Sequence, residues 1–533
     1  MLEKYSSQFK HILVDEFQDT NQVQYQLVQQ LSSINKNIFC VGDPDQSVYR
    51  WRGADYRNVA NFEKDHPGCQ TILLEQNYRS KQTILDAAMA VIDKNPHRRR
   101  KQLFSDLGSG DKIQVFEAFD DKAESAFIVD SVKQMVASKS AELGDFAVMY
   151  RTNAMSRVIE ESFIHANVPY RLVGAQRFYG RREVKDLVAY LRLLQNRHDE
   201  ISLLRVINVP TRGLGDRSVE LLQTISKENY ISLGEVLFQM GTDPACPFNA
   251  LVKGKAQASM ADFGKMLAKW EEAREAHTVT ELFDMVVEDI GYEDHLNDGT
   301  DEGEDRWENI LELRKLTEEY ENKPIGDFLE NIALVSDQDT IRDGNAPTLL
   351  TLHAAKGLEF RYVFIMGLDD GTMPHSRSFD EPEEMEEERR LFYVGITRAK
   401  KKLFLVRAMR RGGRGFSEDQ VPSRFLRDIP ATLIGSKVFY GSSNIGQRSG
   451  GLTYKETRME SNTRWGDPTP PALKTNTPST KYRTGMRVKH AVYGEGTVIG
   501  SRVQNGDEIV DIIFETSGPK KLDTSLAKLT ILN

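Results

Sequence analysis

Cysteine is scarce: Cys40, Cys69 and Cys246 are the only three in 533 residues, widely spaced and never in a CxxC pair. That excludes a disulfide framework and a cysteine-based zinc site, and it points to a reducing compartment. No apolar run approaches the roughly 20 residues that span a bilayer, and the N-terminus has no signal-peptide pattern. The expectation is a soluble cytoplasmic protein without a membrane role. Repeats are absent too. Neither charge sign dominates: 70 Lys and Arg stand against 79 Asp and Glu, a net of −9, which still allows the cations to cluster on one face. A G-x-x-x-x-G-K-[ST] phosphate loop occurs nowhere; "GSGDK" (108–112) and "AAKGLEF" (354–360) both lack the required ending.

What is present is enough apolar content (39%) for more than one core. Residues 1–75 alternate short apolar runs (Ile12–Val14, Ile38–Val41, Thr71–Leu74) with helix-like polar stretches, as an α/β sheet does. The same rhythm returns from residue 76 to 177. Residues 178–340 are long, charged and helix-patterned, with "VKDLVAYLRLL" and "RWENILELRKLTEEYE" as amphipathic segments. Strand-like runs resume at 341–440 ("TLLTLHAAKGLEF", "RYVFIMGL", "KKLFLVRA"), so the helical block reads as an insertion inside the second α/β unit. Residues 441–480 are rich in Ser, Thr, Gly, Asn and Pro and read as a disordered linker. Residues 481–533 carry short β runs around "VYGEGTVIG" and "EIVDIIFE", which fits a small β-barrel.

Chemistry concentrates where apolar runs stop. Ile12-Leu13-Val14 ends at Asp15 and Glu16, the pattern of a buried parallel strand reaching an active-site edge, where carboxylates hold Mg²⁺ and orient water toward a nucleotide γ-phosphate. "GDPDQSVYRWRGADY" (42–56) follows another such strand. Gln46 can sense a phosphate or its attacking water, and Tyr49 and Trp51, interleaved with Arg50 and Arg52, offer flat faces for bases and cations for a backbone. An ordinary loop with a buried Trp would read the same. In "LEQNYRS" (74–80), Tyr78 can stack on a nucleobase and Arg79 can clamp a phosphate or serve in a surface ion pair. "TLHAAKGLEF" (351–360) presents His353, Lys356 and Gly357 after a strand. "EEERRLFYVGITRAKKKLFLV" (386–406) is a helix leading to Thr397 and Arg398, and an Arg there suits an arginine finger. The acidic run 381–388 is a solvated helix start.

In order and spacing, "DEFQDTN", "GDPDQSVYRWRGAD", "QNYRS", "HAAKGLEF" and "RRLFYVGITRAK" resemble the UvrD/PcrA/Rep family of superfamily-one DNA helicases over nearly the whole chain, PcrA-type members above all. The resemblance implies an α/β fold of RecA-like P-loop NTPase motor domains. Residues 1–75 would be the C-terminal part of the first (1A), 76–177 and 341–440 the two parts of the second (2A), 178–340 the helical insertion domain (2B) and 481–533 a Tudor-like β-barrel. It implies ATP and Mg²⁺ as cofactors and 3′→5′ translocation on DNA in repair and replication. By the same resemblance Asp15 holds Mg²⁺, Glu16 polarises the hydrolytic water and Gln46 couples the γ-phosphate to DNA. Tyr78 stacks on adenine, Arg79 and Arg398 contact the γ-phosphate, and Gly357 and Glu359 lie at the nucleotide, Glu359 near the ribose. Tyr49, Trp51, Arg52, His353 and Lys356 engage single-stranded DNA. Arg212, Gly213 and Gly215 in "NVPTRGLGDRS" (208–218) form the duplex-gripping turn, unless that turn is a plain helix connection. Single-stranded DNA, single-strand/duplex junctions and, through the barrel, RNA polymerase are the implied partners.

Two departures qualify the resemblance. The family's phosphate loop precedes the "DEFQDTN" strand and has no counterpart here, so the expectation is an N-terminally truncated motor, inactive alone, with a non-catalytic fragment that binds DNA or RNA polymerase as the alternative. A helicase–nuclease fusion would need a carboxylate-rich C-terminal domain, which the linker and barrel do not supply. The strand-separating hairpin expected after the last motif reads "RRGGRGFSEDQVPSRF", with Gly412, Gly413 and Gly415 at its tip and Phe416 as the one candidate wedge.

Overall fold

In the computed structural model, residues 2–96, 98–337, 345–413, 416–435, 438–439, 486–490, 493–504, 507–514, 518–523 and 529–532 are described. The chain divides into two units, Met1–Ile445 and Gly446–Asn533.

The first unit opens with a two-stranded parallel sheet, β1 (Ile12–Val14) beside β2 (Ile38–Cys40), in the register Leu13↔Phe39. Behind it Phe17 packs edge-on against Tyr25 and Phe62, with ring centroids 5.8 and 5.5 Å away. The expected third run, Thr71–Leu74, forms no strand, and Ile72, Leu73 and Leu74 are exposed. An extended apolar run becomes a strand only when a neighbour supplies ladder partners, and among the described residues none lies beside this one. Leu13 and Phe39, register partners on one face, are 74% and 61% exposed. Of the 23 exposed large apolar side chains among the described residues, 14 fall within residues 2–78. Parallel sheets are stable when both faces are covered, so this face is built to be covered.

The second sheet comprises β3 (Gln114–Asp120), β4 (Phe146–Tyr150), β5 (Arg171–Val173), β6 (Thr348–Thr351), β7 (Phe360–Ile365), β8 (Ala399–Gly413), β9 (Phe416–Asp419) and β10 (Val438–Phe439). Its order is β10-β3-β8-β7-β4-β6-β5, all parallel, with β9 antiparallel on β8. Alternation sends successive side chains to opposite faces. Ala147, Met149, Val363, Ile365, Leu403 and Leu405 enter one core under helices Gln82–Ile92 and Pro382–Ile396. Phe146, Val148, Tyr362, Phe364, Phe404 and Val406 enter the other under helices Asp121–Ala137 and Ser156–His165. Both faces are covered, which is why these strands read as unbroken apolar runs.

Between β5 and β6 the described residues contain helices and no strand, from Arg182–Gln195 to Ile325–Asp337, around a separate core that includes Tyr190, Phe263, Trp270 and Phe283. Helix Asp301–Thr317 of this block is clasped to the sheet by ion pairs, Arg377 to Asp301 (3.0 Å), Arg157 to Glu312 (2.7 Å) and Lys315 to Asp121, and by a hydrogen bond between His375 and Glu308 (2.9 Å). The glycine-rich stretch forms the β8–β9 hairpin, with Gly413 paired to Phe416; its tip, 414–415, and the expected linker lie outside the described residues. In the second unit, β11 (Arg487–His490), β12 (Gly494–Gln504), β13 (Asp507–Phe514), β14 (Gly518–Asp523) and β15 (Leu529–Leu532) form an antiparallel sheet ordered β14-β13-β12-β11-β15. Among the described residues no pairing joins its outer strands.

Candidate functional site

β1 and β2 end side by side, and their following loops are tied by one buried amide. Gln18 donates to Glu16 Oε2 (2.6 Å) and accepts from the Asp43 backbone N–H (2.9 Å). A Cβ at Gly42 would stand 2.5 Å from that amide oxygen, so only glycine permits the approach. Glu16 leaves the sheet in the left-handed region (φ 48°, ψ 42°), a conformation costly for an L-residue. Asp15 and Glu16 are both exposed at this edge.

The second loop is anchored in the neighbouring sheet: Val48 is fully buried in the core beneath helices Gln82–Ile92 and Pro382–Ile396, and Arg390 donates to the Ser47 carbonyl (3.1 Å). This brings Gln46 to Arg398, 352 residues away. The Gln46 amide donates to Asp43 (2.8 Å) and accepts from Arg398 Nη2 (3.2 Å). Arg398 is itself 2% exposed and donates to the Val394 and Leu358 carbonyls (3.0 and 3.3 Å). Burial, reinforced by nearby Arg79, pushes its guanidinium down to about 10, so it stays a cation at neutral pH.

Arg79 donates to Glu359 Oε2 (2.7 Å), and Lys400 pairs with the other oxygen. Hydrogen bonds from Lys400 and Arg79 hold that carboxyl at about 2. Beside them Tyr78 is 77% exposed, its hydroxyl donating to Gln76 (2.8 Å). Gly357 turns the loop at φ 84°.

A few residues along, Tyr49 and Trp51 meet edge-on (6.4 Å between centroids), and the Arg52 guanidinium lies over both rings at 5.4 and 4.5 Å. Trp51 is half exposed, which removes the buried-Trp reading of this loop. The Tyr49 hydroxyl donates to the His353 carbonyl (3.4 Å). Burial, then Arg151, Arg377 and Arg52, push the His353 imidazole well below its ordinary value, leaving it neutral at pH 7. Lys356 faces the carboxylates: its ammonium pairs with Asp19 and lies 3.4 Å from Glu16.

Arg212 is placed differently from the rest. Its guanidinium donates to the carbonyls of Val206, Ile207, Val209 and Pro210 (3.2–3.4 Å) and lies over Phe263 at 5.1 Å, capping helix Glu200–Val206 inside the helical block. Gly213 (φ 74°) and Gly215 are exposed.

Sequence reasoning missed the supporting carboxylates and their cations. Lys101 pairs with Asp43 and lies 3.2 Å from Asp45, and Arg98 reaches Asp45 at 2.7 Å. All four side chains are largely buried. The run "HRRRK" (97–101) was the available signal. Among the described residues no group of three or more His, Cys, Asp or Glu is placed to hold a metal by itself, and no helix is long and apolar enough to cross a membrane.

Residues 1–67 match the UvrD/REP helicase N-terminal domain and residues 72–410 the UvrD-like helicase C-terminal domain. The chain is 40% identical over 538 residues to the ATP-dependent DNA helicase PcrA of Staphylococcus epidermidis, spanning 99% of this chain and 71% of that protein. It is 39% identical to the PcrA of Staphylococcus aureus over 538 residues, with the same coverage. To that of Leuconostoc citreum it is 39% identical over 545 residues, covering 99% of this chain and 72% of that one.

Proposed function

The chain belongs to the UvrD-like helicase family, and on that premise we propose that its site is that of an ATP-dependent 3′→5′ DNA helicase and translocase on single-stranded DNA and single-strand/duplex junctions, active only when a phosphate loop is supplied. The observation that carries the reading is the contact of Arg398 with the Gln46 amide across two sheets, with Lys356 reaching both the Gln46 carbonyl and Glu16. In this reading residues 1–75 belong to a first RecA-like domain, 76–177 and 341–440 to a second one, 178–340 to the inserted helical domain and 481–533 to a Tudor-like barrel.

In this reading Asp15 holds Mg²⁺, which takes one or two carboxylates beside phosphate oxygens and, when bound with ATP, neutralises charge on the transferred group. Exposed, hard-oxygen carboxylates at the end of β1 fit that ion. Glu16 orients the water, Gln46 senses the γ-phosphate, and Arg79 and Arg398 contact it. Tyr78 offers its exposed ring to adenine, with Gly357 and Glu359 alongside. Tyr49, Trp51 and Arg52 form the platform for single-stranded DNA, with the loop of His353 and Lys356 behind it. Gly213 and Gly215 offer backbone N–H groups to duplex phosphates, and Arg212 shapes that turn from within. The C-terminal barrel, with eight Lys and Arg against six Asp and Glu, is too weakly charged for DNA to be its purpose and docks on RNA polymerase.

These 533 residues hold no phosphate cradle, and the cradle supplies much of the electrostatic stabilisation in phosphoryl transfer. We infer that the polypeptide as it stands does not turn ATP over. Fusing the segment of S. epidermidis PcrA that carries G-x-x-x-x-G-K-[ST] ahead of Met1 should produce DNA-stimulated ATPase and unwinding of a 3′-tailed duplex, both abolished by Glu16→Gln. A folded fusion that binds ATP yet never hydrolyses it would favour the second reading, a non-catalytic DNA-binding protein.

A further inference from the structure

Lys356 is a cation of the site whose hydrogen bonds among the described residues all go to the protein. Its ammonium has three donors. One meets Asp19 Oδ2, one the Gln46 carbonyl (2.9 Å), and Glu16 Oε2 stands 3.4 Å away. The side chain is 7% exposed and passes 5.2 Å from the centre of the Tyr49 ring. Lys356 therefore joins the carboxylate loop after β1, the Gln46 loop and the aromatic platform.

Asp19 is an unusual counterion. One oxygen takes Lys356, while Oδ1 is buried with no hydrogen-bond partner among the described residues. A half-satisfied buried carboxylate is costly unless its ion pair is kept, so Asp19 holds Lys356 tightly. The Lys356 ammonium is consequently turned from the solvent side of the platform, where a strand's phosphates would run.

We propose that Asp19 is a positioning residue that withholds the Lys356 ammonium from nucleic-acid phosphate, so that the carboxylate loop sets how strongly the Tyr49–Arg52 platform grips a single strand. This rests on the reading of that platform as the strand-binding face. Whatever draws Asp19 or Glu16 away, such as a change at the carboxylate edge, frees one cation for the strand.

The test is anisotropy titration of the full chain with fluorescein-labelled (dT)20 across a NaCl series, with circular dichroism as the fold control. Asp19→Asn should tighten binding on the order of 5- to 10-fold at low salt and steepen the plot of log K against log salt by about 0.7, one added phosphate contact on a single strand. Adding Lys356→Ala should erase both gains, which separates release of Lys356 from mere removal of a negative charge. Lys356→Ala alone serves as the reference against which the double variant is read. Asp19→Ser repeats the measurement if the Asn variant does not fold. An unchanged slope in Asp19→Asn, while Trp51→Ala still weakens binding, overturns this proposal and leaves the platform standing. A shallower slope for Lys356→Ala alone overturns it too, because Lys356 would already be on the strand. If neither the natural chain nor Asp19→Asn binds (dT)20, the platform reading falls and takes this proposal with it.

Discussion

Replacing Trp51 by Ala separates a strand-binding platform from a piece of core. Trp51 is 50% exposed and touches mainly Tyr49 and the Arg52 guanidinium. About half of a Trp surface, roughly 100 Å², is withdrawn from water, an upper limit of about 2.5 kcal/mol. The cation–π contact adds about 0.5–1 kcal/mol at an exposed site. Against a domain stability of about 5–15 kcal/mol the chain stays folded. Losing a base-stacking surface costs about 1–3 kcal/mol of binding, a 5- to 150-fold weaker grip on (dT)20 with little sequence preference. The salt slope should not move, because no phosphate contact is lost, whereas Arg52→Ala should flatten it by about 0.7. Anisotropy over a salt series, with circular dichroism on the same samples, reads all three quantities. An unchanged dissociation constant in a folded Trp51→Ala chain would refute the platform.

The remaining predictions concern rate, pH and surface. In the cradle-bearing fusion, Arg398→Ala should lower DNA-stimulated kcat by on the order of 10³ or more, the effect of removing an arginine finger; a loss of only a few-fold makes Arg398 the structural cap of its own helix, to which it also donates. Glu160 is buried, which pushes its carboxyl from 4.5 up to about 7. The folded chain then binds an extra proton between those values, so its contribution to stability is full below about pH 4.5 and is lost as pH rises through 7. Thermal melts from pH 5 to 7.5 should fall less steeply for Glu160→Gln than for the natural chain, and parallel curves would contradict the assignment. Leu13→Glu combined with Phe39→Lys, an opposite-charge pair across the β1–β2 register, should leave the melting temperature within a few degrees and reduce self-association in sedimentation; a collapse of the fold would mean that this face is already covered.

Local pattern was enough for the strands and helices that carry the motifs. The apolar runs of β4, β7 and β8 read as buried parallel strands because each must satisfy two cores at once, and helix Pro382–Ile396 delivers Arg398 to the strand edge where its sequence places it. Pairing was not legible in the same way. Thr71–Leu74 has the composition of a strand and lacks a neighbour to pair with among the described residues. Arg212 has the look of a phosphate ligand and is absorbed by four carbonyls at a helix end. Lys356 and Asp19, 337 residues apart, find each other only because Val48 pins one loop into the other sheet's core. A period of two or of 3.6 is a property of one segment, set by backbone geometry, and so it is written locally. The partner of a buried charge is fixed by which segments the topology brings within about 3 Å, and that is decided by the tertiary structure alone.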